Sequence, residues 1–394
     1  MTTAAYIAGE SSIKIWSVTP TERIARQLRS LGIVVLSNVE AVGQDITRIL
    51  LVSSDFLFDS ATFSALLDHQ HAILNDPGSG RCAAAVVSPE MLETVLPLLG
   101  KNARAQSDIP ILNVTELSRY DDSLRRSTPL LLEEITAGNL RNLESLLYGN
   151  SYKGVTDLVT KWWWPRPAKW LVKQCARSGV TPNVVTLTGL ALMLLSCALF
   201  SQGFFLAGLA SGWLMTLLDT VDGKLARVTL KSSRLGHILD HGMDIVHPPF
   251  WYLLWGIGLN SSALAGWPMS KIYIAIVAGY VGGRLLEALF HGLGSCSMFA
   301  WRPFDAYFRL VTARRNPCLI LLSIPTMFGR PDLGLLAVAL WTVTSTLIMA
   351  ARLIQAAFIR MQSGPLDSWL KAPDSPSRYP RAFAEFAGTR GAYE

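Results

Sequence analysis

Two short stretches, DTVDGKLAR at residues 219–227 and GHILDHGMD at residues 236–244, decide the architecture expected for this chain. Together they hold four aspartates, and apolar segments long enough to cross a bilayer lie on either side. A carboxylate close to hydrocarbon is energetically costly, so aspartates grouped inside an apolar region indicate a functional site. The two stretches therefore predict a helical membrane region built around an acidic site.

The spacing within each stretch predicts that its aspartates share one face of a helix. Asp219 and Asp222 are three residues apart, and Asp240 and Asp244 are four apart. Two such helices facing each other would bring the carboxylates into one pocket, where they would repel one another unless a cation lay between them. Because acidic oxygens suit hard divalent cations, the pattern predicts a magnesium or manganese site.

The two stretches together resemble the signature of the CDP-alcohol phosphotransferase family, D-x2-D-G-x2-A-R-x8-G-x3-D-x3-D. Its eight fixed positions are met by Asp219, Asp222, Gly223, Ala226, Arg227, Gly236, Asp240 and Asp244. Eight positions at fixed gaps make the match specific. The sequence PNVVT at residues 182–186 is also similar to the family's entry to its first membrane helix, and the resemblance covers roughly residues 155–360.

The resemblance implies a transfer reaction and assigns roles to the aspartates. An acceptor hydroxyl would attack the β-phosphorus of a CDP-alcohol, a phosphodiester would form, and CMP would leave. The expected metal ligands are Asp219, Asp222, Asp240 and Asp244. In the family the fourth aspartate is the general base, which in this chain is Asp244.

Six residues are expected along the nucleotide: Asn183, Thr186, Gly223, Ala226, Arg227 and Gly236. Small residues leave room for the cytidine, and Arg227 can pair with phosphate through two hydrogen bonds. Asn183 and Thr186 have a second interpretation, since Pro182 in a first turn with Thr181 as cap is an ordinary helix start.

Polar and cationic residues near the motif are the candidates for binding the acceptor: Lys231, Ser233, Arg234, Arg314 and Arg315. Each of the cations could instead serve membrane topology alone. Arg284 and Glu287, three residues apart inside an apolar run, are expected to form a buried pair. Three histidines flank the motif, and structural roles are expected for His237, His241 and His247 because the carboxylates suffice for the metal.

Composition divides the 394-residue chain into two unlike parts. Half of its residues are apolar and its mean hydropathy is +0.32. Residues 1–150 are mixed and residues 183–360 consist mainly of apolar runs, which predicts a soluble domain followed by a membrane domain. The formal charge of +6 is small, and no nucleic-acid partner is expected. Five cysteines without metal-ligand spacing fit a reducing cytoplasm or lipid, and no signal peptide is recognised.

Six membrane-spanning segments are expected, at residues 183–200, 204–218, 237–259, 272–289, 318–328 and 333–351. The fifth is short for a span of ~20 residues. Basic residues concentrate in the loops after the second and fourth segments and in the C-terminal tail. The positive-inside rule therefore predicts a bacterial-type inner membrane protein whose active site and both termini face the cytoplasm.

Just before the first span, residues 161–173 contain four tryptophans and four basic residues. Tryptophan favours the headgroup zone, and Lys and Arg lie beside anionic lipid. The segment therefore predicts an amphipathic helix on the inner leaflet, where membrane lipids are its partners.

The N-terminal 150 residues alternate strand-like and helix-like patterns, which predicts an α/β domain. Residues 32–37, 49–54 and 82–88 are expected to be buried parallel strands. The stretches 21–36 and 54–59 resemble worn parts of a sugar-phosphate cytidylyltransferase domain that some family members carry. No glycine-rich loop that would hold a triphosphate follows the first strand, so we expect a degenerate domain kept for stability, dimerisation or regulation.

The expected fold is an α-helical integral membrane bundle preceded by a soluble α/β domain. Its parts are a nucleotidyltransferase-like domain at 1–150, a linker and interfacial helix at 151–182, a six-helix membrane domain at 183–358 and a cytoplasmic tail at 359–394. Family resemblance also implies a homodimer.

The expected partners are a CDP-alcohol donor and an alcohol acceptor. The N-terminal fusion is similar to proteins that handle inositol phosphate, which favours CDP-inositol with a lipid or inositol-phosphate acceptor. The alternative is CDP-diacylglycerol with a polar alcohol. A cation-coupled transporter and an inactive scaffold fit less well, because the motif is not repeated in the second half and its eight positions are intact.

Overall fold

The computed structural model describes residues 2–39, 43, 45–102, 109–114, 118–122, 124–231, 234–294 and 296–388. Of Arg234, Asp240 and Asp244, which lie in a helix, only the backbone is described. Ser233 lies outside the described residues.

The N-terminal region is an α/β fold, as its alternating patterns predict. Its strands are β1 Thr2–Ala8, β2 Val34–Leu36, β3 Ile46–Ser53, β4 Phe56–Phe58, β5 Ala72–Asn75, β6 Cys82–Val87, β7 Ile111–Asn113, β8 Ser118–Asp121, β9 Arg126–Pro129 and β10 Leu132–Glu134. Its helices are α1 Pro20–Ser30, α2 Ser60–Leu67 and α3 Leu92–Val95. Thr19 caps α1 by accepting a hydrogen bond from the Glu22 amide, and Pro20 fits the first turn.

Six strands form one mixed sheet in the order β2-β1-β3-β6-β5-β7. β1 pairs in parallel with β2 and β3, whereas β6 runs antiparallel to both β3 and β5. The prediction of three parallel strands is therefore wrong for residues 82–88, because a continuous apolar run shows that a strand is buried but does not give its direction. Apolar cores lie on both faces of the sheet, one under α1 and α2 and one under α3.

The rest of the described chain is mainly helical. Its helices are α4 Leu140–Asn150, α5 Pro165–Arg177, α6 Pro182–Ser201, α7 Phe205–Thr229, α8 Arg234–Gly258, α9 Met269–Leu293, α10 Pro303–Val311, α11 Arg315–Met327, α12 Pro331–Ser363, α13 Ser375–Arg378 and α14 Pro380–Phe386. Two short strands, β11 Ala263–Leu264 and β12 Trp267–Pro268, form a hairpin between α8 and α9. Each of the six predicted spans coincides with a helix.

Three of these helices are long and apolar enough to cross a membrane: α6, α9 and α12. The α11 helix, at 13 residues, is shorter than a usual span. The α12 helix extends to Ser363, so it passes the predicted start of the tail at residue 359. At ~1.5 Å per residue it is longer than the hydrocarbon layer is thick.

The predicted interfacial segment contains a π-helical turn, Val159–Trp163, followed by the α5 helix. Trp162, Trp163 and Trp170 are all at least half exposed. Solvent-exposed tryptophans on a basic helix fit the expected position at a lipid headgroup layer.

One apolar cluster joins the α/β region to the helical region. It includes Ile15 and Trp16 near α1, Tyr148 of α4, and Val221 and Leu225 of α7. The Trp16 indole donates a hydrogen bond of 2.9 Å to the Glu144 carbonyl. The α/β region is therefore packed directly against the helix that carries the first aspartate pair.

Candidate active site

The two stretches of the signature lie at the end of one helix and the start of the next. Asp219 and Asp222 are in the second half of α7, whose C-cap residue Leu230 has a left-handed φ of 52°. The α8 helix begins at Arg234, so Asp240 and Asp244 lie in its first three turns. The spacing correctly predicted that each pair lies on a helix, and the side chains of the second pair are outside the description.

Asp219 forms an ion pair with Arg315, the first residue of α11. The Arg315 guanidinium places Nη2 at 2.5 Å from Oδ2 and Nη1 at 3.3 Å from Oδ1. The two side chains are 13% and 18% exposed. Two hydrogen bonds to one carboxylate fix its orientation, so Arg315 holds Asp219 toward the interior of the bundle.

Asp222 is buried, at 5% exposure, against the first membrane-candidate helix. The Thr186 hydroxyl of α6 lies 2.6 Å from its Oδ2 and 3.1 Å from the Pro182 carbonyl of its own helix. Thr186 was predicted to face the nucleotide, and the structure places it on a candidate metal ligand. The α6 helix starts at Pro182 as predicted, although the Thr181 side chain makes no capping bond.

Gly223 leaves room for the side chain of Arg227 one turn later. A Cβ at Gly223 would lie 3.1 Å from Nη2 of Arg227. Both residues line a cavity of about 300 Å³ at the end of α7. The other four residues predicted along the nucleotide are absent from the described cavity lining: Asn183, Thr186, Ala226 and Gly236.

The cavity is strongly basic. Its described lining contains the eight cations Arg125, Lys153, Lys224, Arg227, Arg284, Arg309, Arg314 and Arg315. It contains the three acids Asp157, Asp219 and Glu287. An enclosed excess of positive charge attracts anions, and guanidinium groups match the geometry of phosphate.

Each of the three acids already has partners. Asp219 accepts hydrogen bonds from Arg315, and Glu287 forms ion pairs with Arg314 and, at 3.7 Å, with Arg284. Asp157 accepts hydrogen bonds from the amide of Val159 and from the Asn316 side chain, at 3.1 and 2.9 Å. Arg284 and Glu287 thus form the predicted pair, which Arg314 joins, but their side chains are 33% and 26% exposed, so the pair is not buried as expected.

Two cavity cations come from segments ahead of the helical bundle. Arg125 lies in the turn of the β8–β9 hairpin with a left-handed φ of 48°, and Lys153 follows α4. Burial, together with the nearby Arg309 charge, lowers the pKa of Arg125 to about 10. The nearby Asp122 charge acts in the opposite direction, more weakly than burial. The sequence carries no signal that places either residue here.

Lys224 was also missed, although it lies inside the signature. It is 3% exposed, and its Nζ lies 2.9 Å from the Ser151 carbonyl and 3.3 Å from the centroid of the Tyr152 ring. A buried ammonium needs such partners because its desolvation is costly. Its position two residues after Asp222 was the signal that could have identified it.

The predicted acceptor residues are divided between cavity and surface. Arg314 and Arg315 line the cavity, whereas Lys231 is exposed. Ser233 lies outside the described residues, and only the backbone of Arg234 is described.

His247, one of the three histidines near the motif, is buried in the bundle. Its ring packs edge-on against Trp251, and its Nδ1 lies 2.5 Å from the Met243 carbonyl oxygen. These contacts fit the structural role that was expected of it.

No cluster of three or more acidic, histidine or cysteine side chains is found among the residues whose side chains are described. The predicted four-carboxylate site includes Asp240 and Asp244, so it extends beyond those residues. The chemistry of Asp219 and Asp222 is that of ligands for a hard divalent cation.

Comparison with known proteins assigns the region around the motif to a family. Residues 179–291 match the sequence profile described as CDP-alcohol phosphatidyltransferase. That interval begins just before α6 and ends within α9.

Three relatives illustrate the range of proteins that this chain is similar to. An archaetidylinositol phosphate synthase of Pyrococcus horikoshii is 29% identical over 44% of this chain and 84% of its own length. A phosphatidylinositol phosphate synthase of Mycobacteroides abscessus is 31% identical over 30% of this chain and 52% of its length. A cholinephosphotransferase of Xenopus laevis is 28% identical, and the alignment spans only 38% of each protein.

Proposed function

We propose that this protein is a membrane-bound phosphotransferase, because residues 179–291 match the CDP-alcohol phosphatidyltransferase profile. It transfers a phospho-alcohol group from a CDP-alcohol to an acceptor alcohol and releases CMP. The observation that supports this most directly is the basic cavity beside Asp219, Gly223 and Arg227 of the signature. A diphosphate donor is strongly anionic, and the cavity supplies the charge that would neutralise it.

The residues around the cavity divide the work of binding the donor. Arg227 pairs with phosphate, and Gly223 keeps the helix surface open beside it. Small residues make space for the cytidine. The remaining nucleotide contacts are proposed for Asn183, Thr186, Ala226 and Gly236.

Asp219, Asp222, Asp240 and Asp244 would hold magnesium or manganese. When bound, the metal supplies charge neutralisation for the diphosphate. Arg315 and Thr186 orient the first two of these carboxylates through the contacts described above. Asp244 accepts the proton of the acceptor hydroxyl, which is a weak nucleophile at neutral pH without a base.

The charge of the cavity also bears on the acceptor. The described lining holds eight cations and three acids, so positive charge is left after the acids are paired, and part of it remains when a donor diphosphate is neutralised. This surplus favours an acceptor that carries an anionic group, such as an inositol phosphate, with Arg125, Arg309 and Arg314 as its contacts. Lys231, Ser233 and Arg234 remain proposed acceptor contacts. The alternative donor is CDP-diacylglycerol, which would use the same aspartates.

We propose that all six helices from α6 to α9, α11 and α12 form the membrane domain. The basic residues near α7, α10 and α14 then face the cytoplasm, together with the active site. Exposed apolar side chains along α6, α9 and α12 would contact lipid or a second copy of the chain in a homodimer.

The full-length protein, purified in detergent with magnesium, tests this proposal. Candidate CDP-alcohols labelled in the cytidine are supplied with lipid, inositol and inositol-phosphate acceptors, and released CMP is measured. Metal-dependent CMP release with a new phosphodiester supports the transferase. Uptake of a cation into vesicles without CMP release would instead support the transporter.

A further inference from the structure

The α7 helix ends in hydrogen bonds to two arginines of the α/β region. Arg23 Nη2 donates to the Val228 carbonyl at 2.6 Å, and Arg26 Nη1 donates to the Thr229 carbonyl at 2.6 Å. These are the last two carbonyls of the helix. The final carbonyls of a helix lack partners within it, and cations near that end interact favourably with its dipole.

The helix that carries both arginines is packed into the core of the α/β region. They belong to α1, whose Ile24 and Leu28 are fully buried under the sheet. The neighbouring Gln27 side chain donates a 3.0 Å hydrogen bond to the Phe58 carbonyl. Arg23 is itself 2% exposed and donates a second hydrogen bond to the Ile15 carbonyl at 3.1 Å.

The charge of Arg23 persists at neutral pH despite this burial. Desolvation, and to a lesser degree the Arg26 charge, lowers its pKa to about 10. Arg26, at 24% side-chain exposure, also pairs with Glu22 one turn earlier on α1. Both guanidinium groups are therefore cations when they meet the end of α7.

The capped end of α7 lies between the two aspartate pairs. Leu230, whose amide donates to the Ala226 carbonyl, takes a left-handed conformation that is costly for a residue other than glycine. The next described helix, α8, begins at Arg234 and carries Asp240 and Asp244. The direction in which α7 ends thus affects where the second pair lies relative to the first.

We infer that Arg23 and Arg26 are positioning residues, through which the α/β region holds the end of α7, the helix that carries the first half of the metal site. The inference rests on the proposed function, because it takes the four aspartates as metal ligands. It gives the α/β region a role that needs no nucleotidyl transfer of its own. Groups that hydrogen-bond a metal ligand directly change metal affinity by about 10–100-fold, and these arginines act one step further away, so the lower end of that range is expected.

The test uses the full-length protein with Arg23→Met and Arg26→Met, which remove the donors and keep apolar length. The matched control is Arg29→Met, on the same helix but exposed. Hydrogen–deuterium exchange of residues 226–231 reports the capped end directly. Binding of Mn²⁺, followed by electron paramagnetic resonance, reports the aspartates without any turnover.

We expect the exchange of residues 226–231 to accelerate and the Kd for Mn²⁺ to rise about tenfold in the first two variants. Arg29→Met should resemble the wild type, and Arg23→Lys should recover part of the Mn²⁺ affinity because it keeps a cation. Unchanged exchange, or faster exchange with unchanged Mn²⁺ affinity, would overturn the inference.

Failure of the proposed function gives a different result. A wild-type protein that binds no Mn²⁺ would remove the metal site, and exchange alone would then decide whether the arginines hold the end of α7. If Arg23→Met does not fold, the partly exposed Arg26→Met decides the question with the same two measurements.

Discussion

The α/β region and the helical region use opposite charges in different ways. In the α/β region, Arg81 pairs with Asp55 at 3.0 Å where the side chains are 31% and 51% exposed. In the helical region, Arg315 pairs with Asp219 where both are less than a fifth exposed. A surface pair of the first kind contributes about 0–1 kcal/mol, whereas removing one partner of a buried pair costs about 3–5 kcal/mol.

This difference indicates where the chemistry takes place. The helical region keeps charged groups out of water around a cavity, at a cost that a purely structural bundle would avoid. The α/β region encloses apolar cores on both faces of its sheet and directs Arg23 and Arg26 at its neighbour. We therefore expect substitutions at the helical charges to change turnover, and substitutions at the surface charges of the α/β region to leave it unchanged.

The largest effect is expected for Asp244→Asn. Without a base, CMP release should fall about 10²–10⁴-fold, while nucleotide binding persists because the other aspartates remain. Steady-state CMP release and equilibrium binding of a CDP-alcohol measure the two. Asp332→Asn, at the start of α12 and paired with Arg330, is the control. Full turnover in Asp244→Asn would remove the proposed base.

A smaller effect is expected for Thr186→Val, which keeps the shape and loses the hydrogen bond to Asp222. The magnesium concentration needed for half-maximal CMP release should rise about tenfold, because the carboxylate is no longer oriented. Thr188→Val is the matched control, since this exposed hydroxyl bonds only within its own helix. Equal behaviour of the two variants would contradict the role given to Thr186.

Arg125→Gln sharpens the comparison, because this cation belongs to a hairpin ahead of the bundle but lines its cavity. Loss of one charged hydrogen bond, of about 1.5–3 kcal/mol, should weaken inhibition of CMP release by inorganic phosphate at least tenfold. The maximal rate should change little. Arg141→Gln, exposed on α4, is the control. An unchanged inhibition constant would show that Arg125 does not meet a phosphate.

The smallest effect is expected for Asp55→Asn on the α/β surface. The free energy of unfolding should change by less than ~1 kcal/mol, because its ion pair with Arg81 is largely in water. Turnover should equal that of the wild type. Thermal unfolding and CMP release provide the two measurements. A strong loss of turnover with normal stability would break the comparison and assign chemistry to the α/β region.

Much of the helical region could be predicted because its signals are local. Apolar runs and starting prolines located α6 and α12 to within a few residues at their first turns, and i, i+3 and i, i+4 spacing placed the aspartates on helices. Boundaries failed where a helix continued past its apolar run, as α12 does to Ser363. The direction of β6 was predicted wrongly because a continuous apolar run shows that a strand is buried and does not give its direction.

The composition of the cavity was beyond prediction because its lining residues are far apart in the sequence. Arg315 and Asp219 are 96 residues apart, and Arg125 comes from a hairpin without a recognisable motif. Lys224 lies inside the signature, two residues after Asp222, so its place near the site could have been predicted, although its contacts could not.

The sequence by itself predicted the class of chemistry, because eight residues at fixed gaps match the signature and place its aspartates on a helix pair. It also determined that α/β and apolar helical regions follow one another, since hydropathy and periodicity are properties of neighbouring residues. Only the tertiary structure decided which cations face the cavity and that Arg23 and Arg26 meet the end of α7. Such contacts join residues about 100–200 positions apart, and the free energy of the whole packed chain selects them, not any local preference.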